Sequence, residues 1–132
     1  MPDVNWLAVL LCGISSRVLG AIWYSPLLFA RRWMAGAKLS EDDLAGANMG
    51  LIYGTAFVLS LIAAAVFAMF LGREMALGPA VAAGASAGLC WVAASFGISY
   101  LFERRSFGHW LINGGYHTLQ FTLFGLILGL MR

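Results

Sequence analysis

Four long apolar runs constrain this chain more than any other feature. They extend from about Asn5 to Leu28, from Gly50 to Leu71, from Gly78 to Phe102 and from Trp110 to Met131. At about 1.5 Å of rise per residue, each crosses a hydrocarbon layer of about 30 Å as one helix. Backbone N–H and C=O groups in lipid have no water to bond, and a helix satisfies them within its own segment. A small β-barrel would need about eight strands of alternating pattern, and the runs do not alternate. Only 11% of the residues are charged and 61% are hydrophobic, against about a quarter and about half in an ordinary soluble domain. The expected fold is therefore all-α, a polytopic bundle of four transmembrane helices. Residues 1–132 form a single transmembrane domain, with helices at about 5–28, 50–71, 78–102 and 110–131 and a polar connection at about 29–49. The lipid bilayer is its first partner.

The connections orient the bundle. Arg31, Arg32 and Lys38 fall in the first connection and Arg104 and Arg105 in the third, while the second holds only Arg73 and the C-terminus Arg132. The positive-inside rule places the first and third connections in the cytoplasm and both termini outside. Trp6, Trp23, Tyr24, Trp33, Tyr53, Tyr100 and Trp110 lie near the expected helix ends, where amphipathic rings favour the headgroup layer. Trp91 falls near mid-depth instead. The first run begins with Asp3 rather than a cationic stretch, and Arg17 interrupts it, so it is expected to stay in place as a helix rather than act as a secretory signal.

Within the first connection, Ser40 ahead of Glu41-Asp42-Asp43 reads as a helix start, with acids in the positively polarised first turn. Leu44 and the apolar residues beyond it are expected to lead straight into the second span. Phe29, Trp33 and Met34 are expected on the membrane surface beside Arg31 and Arg32. Leu28-Phe29-Ala30-Arg31-Arg32 also resembles Leu101-Phe102-Glu103-Arg104-Arg105. That similarity reads either as a faint two-helix repeat or as two arginine pairs placed independently by orientation.

Arg17 is the most informative single residue. A mid-membrane arginine costs about 2.5–3.5 kcal/mol on insertion scales and usually faces a bundle interior, a cavity or a partner. No Asp or Glu lies deep in any run, so its partners must be neutral groups, water, lipid phosphate or an anion. Matching depths brings Arg17, Ser60 and Gln120 to one level. Asn113, His117 and Gln120 follow i, i+4, i+7 spacing, with Tyr116 and Thr118 beside them. The expectation is a polar core in which Arg17 and Ser60 face the stripe Asn113, Tyr116, His117 and Gln120. It serves either as a site for a polar or anionic solute or as hydrogen bonding that fixes helix pairing.

Small residues mark packing faces. Gly84 and Gly88 make one GxxxG pair and Gly125 and Gly129 another, which lets helix backbones approach closely in lipid. Gly114-Gly115 reads as a packing notch or a locally unwound point, and His109 reads as a surface residue of the third connection. Cys12 and Cys90 lie in apolar runs without metal or redox spacing. No metal, cofactor or nucleic-acid partner is expected. Paired carboxylates, a phosphate loop and a nucleophile–base set at one depth are all lacking in the sequence, so no enzymatic activity is expected.

Trp23-Tyr24-Ser25-Pro26-Leu27-Leu28-Phe29 followed by Trp33-Met34, then Leu101-Phe102-Glu103 and Trp110-Leu111-Ile112-Asn113-Gly114-Gly115-Tyr116, with Asn5-Trp6 near the start, resemble the small membrane proteins known as domain of unknown function 1761. The resemblance covers nearly the whole chain and implies a four-helix bacterial membrane protein without supplying an activity; the expected location is the inner membrane. Asn113 and Tyr116 fall within the matching segments and Arg17 outside them.

The first functional expectation is a small channel or transporter for a polar or anionic solute. Four helices enclose little space, so a solute path would lie between copies of the chain, and self-association as a dimer or trimer is expected. The alternative is a non-catalytic membrane scaffold or accessory subunit of a larger complex with an unidentified membrane partner. A third reading, a membrane enzyme, would require a lateral opening with a lipid headgroup near the cytoplasmic arginines.

Overall fold

The computed structural model describes residues 3–132, and among these every regular element is helical. α1 spans Trp6–Trp23, α2 Ala30–Ala37, α3 Glu41–Ala45 and α4 Met49–Leu71. The continuous helix Leu77–Glu103, α5, contains a π-helical stretch over Ala87–Ala93. α6 spans Phe107–Leu130. α1, α4 and α5 are each long and apolar enough to cross a membrane. α6 has the length, but Asn113, His117 and Gln120 reduce its hydropathy.

Local chemistry explains the boundaries. The Asn5 side chain caps α1 by accepting the Ala8 N–H at 3.2 Å. α1 stops at Trp23, five residues before the end of its apolar run. Proline disfavours helical backbone at the preceding Ser25, and Pro26 has no N–H to continue the ladder. The Ile22 carbonyl is satisfied instead by the Ser25 amide at 3.2 Å and hydroxyl at 2.7 Å. Ser40 and Asp43 form a reciprocal capping box on α3. The Ser40 backbone N–H, which donates to the Asp43 carboxylate, and the nearby Ser40 hydroxyl hold that carboxyl below its ordinary value. α3 does not run on into α4. It ends at Ala45, and Asn48 starts a new helix by accepting the Leu51 N–H at 3.0 Å.

Pro79 sits in the first turn of α5, where its missing N–H has no helical role to fill. The Ser106 hydroxyl caps α6 by accepting the His109 N–H at 3.1 Å, which starts that helix three residues ahead of its apolar run. The two similar segments differ in conformation. Residues 28–32 form a turn leading into α2, whereas 101–105 end α5 and place Arg104 in the left-handed region at φ 58°.

The packing is inverted relative to a soluble domain. Inside lie Ala8, Cys12, Ser16, Ser60, Ala64 and Ala80, small residues joined by Phe124 and Leu128. Leu10, Ile14 and Val18 on α1, Leu59 and Ile62 on α4, and Trp91 and Ile98 on α5 point outward. Large apolar side chains outside and small or polar ones inside are what a lipid solvent selects.

α5 and α6 form the most intimate pair. A Cβ at Gly84 or Gly125 would collide with a carbonyl oxygen of the facing helix, Phe121 or Ala80 respectively. A Cβ at Gly88 would stand 2.6 Å from the Thr118 Cα, and one at Gly129 would stand 3.0 Å from the Leu77 side chain. α1 packs against α4 and α6, and α2 lies against the start of α6. The termini meet at one end of the bundle, where the Asn5 amide donates to the Met131 carbonyl at 2.6 Å and Arg73 pairs with Asp3 at 3.2 Å.

Candidate functional site

Two polar layers cross the interior, roughly one helical turn apart along α6. The deeper layer is centred on Arg17. Its Nη2 donates to the Ser60 hydroxyl of α4 at 3.2 Å and to the Tyr116 hydroxyl of α6 at 3.0 Å. The Tyr116 hydroxyl donates in turn to the Ser16 carbonyl at 2.9 Å, one residue back on α1. Gln120 Nε2 donates to the Ser16 hydroxyl at 2.8 Å and more distantly to Ser60 at 3.4 Å. Its Oε1 lies 2.8 Å from His117 Nδ1. A carbonyl oxygen only accepts, so Nδ1 carries the proton in this arrangement. The His117 ring stacks on Phe96 of α5, with centroids 5.0 Å apart and planes 16° apart.

The three side chains that bond to the Ser16–Arg17 turn, Ser60, Tyr116 and Gln120, are neutral. No Asp or Glu among the described residues enters the network, and Arg17 Nε is buried with no partner. The guanidinium therefore has no counter-charge in the network and sits in a shell of hydroxyls and amides, where electrostatic interactions are far stronger than in water.

The second layer lies toward the arginine-rich end. The Tyr24 hydroxyl donates to Asn113 Oδ1 at 2.6 Å, and Asn113 Nδ2 donates to the Tyr100 hydroxyl at 2.8 Å. Asn113 Nδ2 also lies 3.2 Å from His109 Nε2. That contact makes Nε2 the acceptor and leaves the proton on Nδ1, which is buried and without a partner. Two indoles frame the layer. Trp23 Nε1 donates to the Ile112 carbonyl at 2.8 Å, and Trp110 Nε1 donates at 2.7 Å to Ala93, the last residue of the π-helical stretch. Single π-turns inside α-helices are uncommon, and this indole bond falls where the helix returns to α geometry.

The structure thus brings Arg17, Ser60, Tyr116, His117 and Gln120 into one layer and separates Asn113 from them. Asn113 shares the α6 stripe but stands a turn away, so it meets Tyr24, Tyr100 and His109 rather than Arg17. His109 is not a surface residue. It is 5% exposed, because α2 folds back over it and its ring sits against Gly36, where a Cβ would collide with it. Gly114 and Gly115 lie in unbroken helix, with added Cβ atoms 3.1 Å from the Ala93 Cβ and 3.1 Å from the Trp23 ring, so they form a packing notch. Cys12 is buried and Cys90 faces outward.

Ser16, Tyr24, Tyr100 and His109 belong to the layers although their sequence context does not announce them. Tyr24 and Tyr100 carry the signature of interfacial anchors, and Ser16 that of a small packing residue. The available sign was depth, since each falls within one turn of Arg17 or of the level of Asn113.

A family model described as a protein of unknown function (DUF1761) matches residues 7–129, nearly the whole chain. The comparison with curated proteins gave no match, and that with solved structures gave none.

Proposed function

The chain belongs to the DUF1761 family, described as of unknown function, and we propose that it is a bacterial inner-membrane protein with four spans that takes a polar or anionic solute at the Arg17 layer. α6 is the fourth span in this reading, since its 24 residues reach about 36 Å at the helical rise. Both termini face outward, and the arginine-rich connections face the cytoplasm. The reading is that of a channel or transporter rather than an enzyme. One such bundle encloses little space, so the path runs between copies of the chain in a dimer or trimer.

One observation carries this reading. Arg17 is half-buried, its hydrogen bonds go only to the neutral Ser60 and Tyr116 hydroxyls, and Nε has no partner. A cation held in this way is neutralised by an anion far better than by two hydroxyls. The alternative, a non-catalytic scaffold or accessory subunit, draws on the way Gln120, Ser16, Ser60 and Tyr116 satisfy one another. Under that reading the layer only fixes helix pairing.

Solute flux into proteoliposomes separates the two. Reconstituted protein is expected to pass small anions above the rate of empty liposomes, and Arg17→Leu is expected to abolish that flux while eluting at the same oligomeric size. Absence of flux from folded protein, or equal flux in Arg17→Leu, overturns the solute reading and favours the scaffold.

A further inference from the structure

At the arginine-rich end, α2, the end of α5 and the start of α6 enclose a half-open cleft of about 860 Å³. Four cationic residues line it: Arg32 and Lys38 from the α2 segment, and Arg104 and Arg105 from the end of α5. No carboxylate lines it. Among the described residues the ion pairs are Arg73 with Asp3 and Arg105 with Glu103, so Arg32, Lys38 and Arg104 have no acidic partner. Arg105 is partly committed, since its Nη1 donates to the Gly36 carbonyl at 2.8 Å and holds α2 in place. The remaining wall is apolar and includes Trp23, Phe29, Leu111 and Ile112.

Backbone geometry sets two of these cations. Lys38 and Arg104 are the residues that close α2 and α5, both in the left-handed region, at φ 60° and 58°. Glycine or asparagine usually occupies such a position. The first turn of α6 opens into the same cleft through Ser106 and Gly108, and helix N-termini favour anions. His109 also lines it, and its buried Nδ1 has no partner.

A second cavity of about 290 Å³ shares Trp23, Leu111 and Gly115 with the first and continues along α6 through Gly114, Thr118 and Leu119 toward the middle of the bundle. It is lined almost entirely by apolar groups. Around the cleft, the large apolar side chains of Leu27 and Phe102 stand 91% and 87% exposed.

We propose that the cleft binds the phosphate headgroup of an anionic phospholipid, with an acyl chain lying in the adjoining groove. Charge without a counter-ion accounts for a phosphate. The apolar groove running from it toward mid-membrane accounts for a lipid rather than a free oxyanion. Basic pockets between helices at the cytoplasmic face have the chemistry that anionic headgroups select. The site is separate from the Arg17 layer and does not depend on solute passage.

The test is thermal unfolding and native mass spectrometry of the full-length protein in neutral detergent, with added phosphatidylglycerol, phosphatidylcholine or inorganic phosphate. Phosphatidylglycerol is expected to raise Tm and to remain as a bound adduct, and the other two are expected to do neither, because a ligand that binds only the folded state stabilises it by mass action. The double variant Lys38→Asn with Arg104→Asn removes two charges while keeping a residue that tolerates the left-handed backbone. It is expected to unfold near the parent Tm in the absence of lipid and to bind phosphatidylglycerol about tenfold or more weakly. Equal responses to phosphatidylglycerol and phosphatidylcholine overturn the proposal, as does unchanged binding in the double variant. A response to inorganic phosphate equal to that to phosphatidylglycerol replaces the lipid by a soluble oxyanion and overturns it as well.

Discussion

Tyr116 is the residue on which the deeper layer depends. Among the described residues, its hydroxyl is the only side-chain atom that both accepts from Arg17 and donates to the α1 backbone, at 3.0 and 2.9 Å. The ring is 5% exposed, so water does not replace what the hydroxyl supplies. Tyr116→Phe keeps the ring but removes the second donor to the Ser16 carbonyl, which retains its helical bond, and one of the two hydrogen bonds of Arg17. The expected loss is about 1–2 kcal/mol, within the range for a lost hydrogen bond to a charged group and at the upper end for hydrogen bonds between membrane helices. Unfolding in mixed detergent measures it, and a change below about 0.3 kcal/mol would show that the hydroxyl contributes nothing to helix pairing. Arg17 was legible in the sequence because a charge in an apolar run identifies itself. Ser16 was not, because a small hydroxyl residue has the same local signature whether it packs, caps or accepts a hydrogen bond.

At the scale of elements, the α5–α6 interface rests on backbone approaching backbone. Gly84 faces the Phe121 carbonyl and Gly125 faces the Ala80 carbonyl so closely that neither position has room for a methyl group. Lipid supplies no hydrophobic drive between helices, so the pair is held by dispersion and by how near the two helices come. Gly84→Leu is expected to separate them, at a loss of about 3 kcal/mol or more, since overpacking against side chains alone costs about 1–3 and here the obstacle is backbone. Gly54, with nothing within 4 Å of an added Cβ, is the control, and Gly54→Leu is expected to leave stability within about 0.5 kcal/mol. Equal Tm values for the two variants would mean that the α5–α6 contact does not hold the fold. The spacing of Gly84, Gly88, Gly125 and Gly129 was visible in the sequence. That they face one another was not, because GxxxG spacing names a face without naming its partner. The early end of α1 and the break between α3 and α4 were partly legible, through Pro26 and Asn48. The π-helical stretch was not, since no residue type in Ala87–Ala93 signals it.

At the scale of the whole molecule, the termini and the 72–76 turn gather at one end. Asp3 pairs with Arg73 there, and Arg132 donates to the Glu74 and Met75 carbonyls at 3.4 and 3.1 Å. α2, α3 and the α5–α6 turn occupy the other end. If α6 crosses the bilayer as α1, α4 and α5 are able to, the two ends face opposite sides. In a Cys12→Ala, Cys90→Ala background, a membrane-impermeant thiol reagent applied outside intact cells is expected to label Asp3→Cys and Arg132→Cys but not Asp42→Cys. Labelling of Asp3→Cys and Arg132→Cys from opposite sides would reduce the spans to an odd number.

The sequence by itself determined that this chain is helical and built for lipid, where its long apolar runs lie, and that Arg17 demands neutral or anionic company. Those properties follow from the composition of single segments, which hydration and backbone hydrogen bonding act upon locally. Only the tertiary structure decided that Asn113 and Gln120 serve different layers, that His109 is enclosed by α2, and that Arg32, Lys38, Arg104 and Arg105 converge on one cleft. Each of these depends on how far one helix is rotated and shifted against another. That is set by the fit of glycine notches to facing backbone, a relation between segments that neither carries alone.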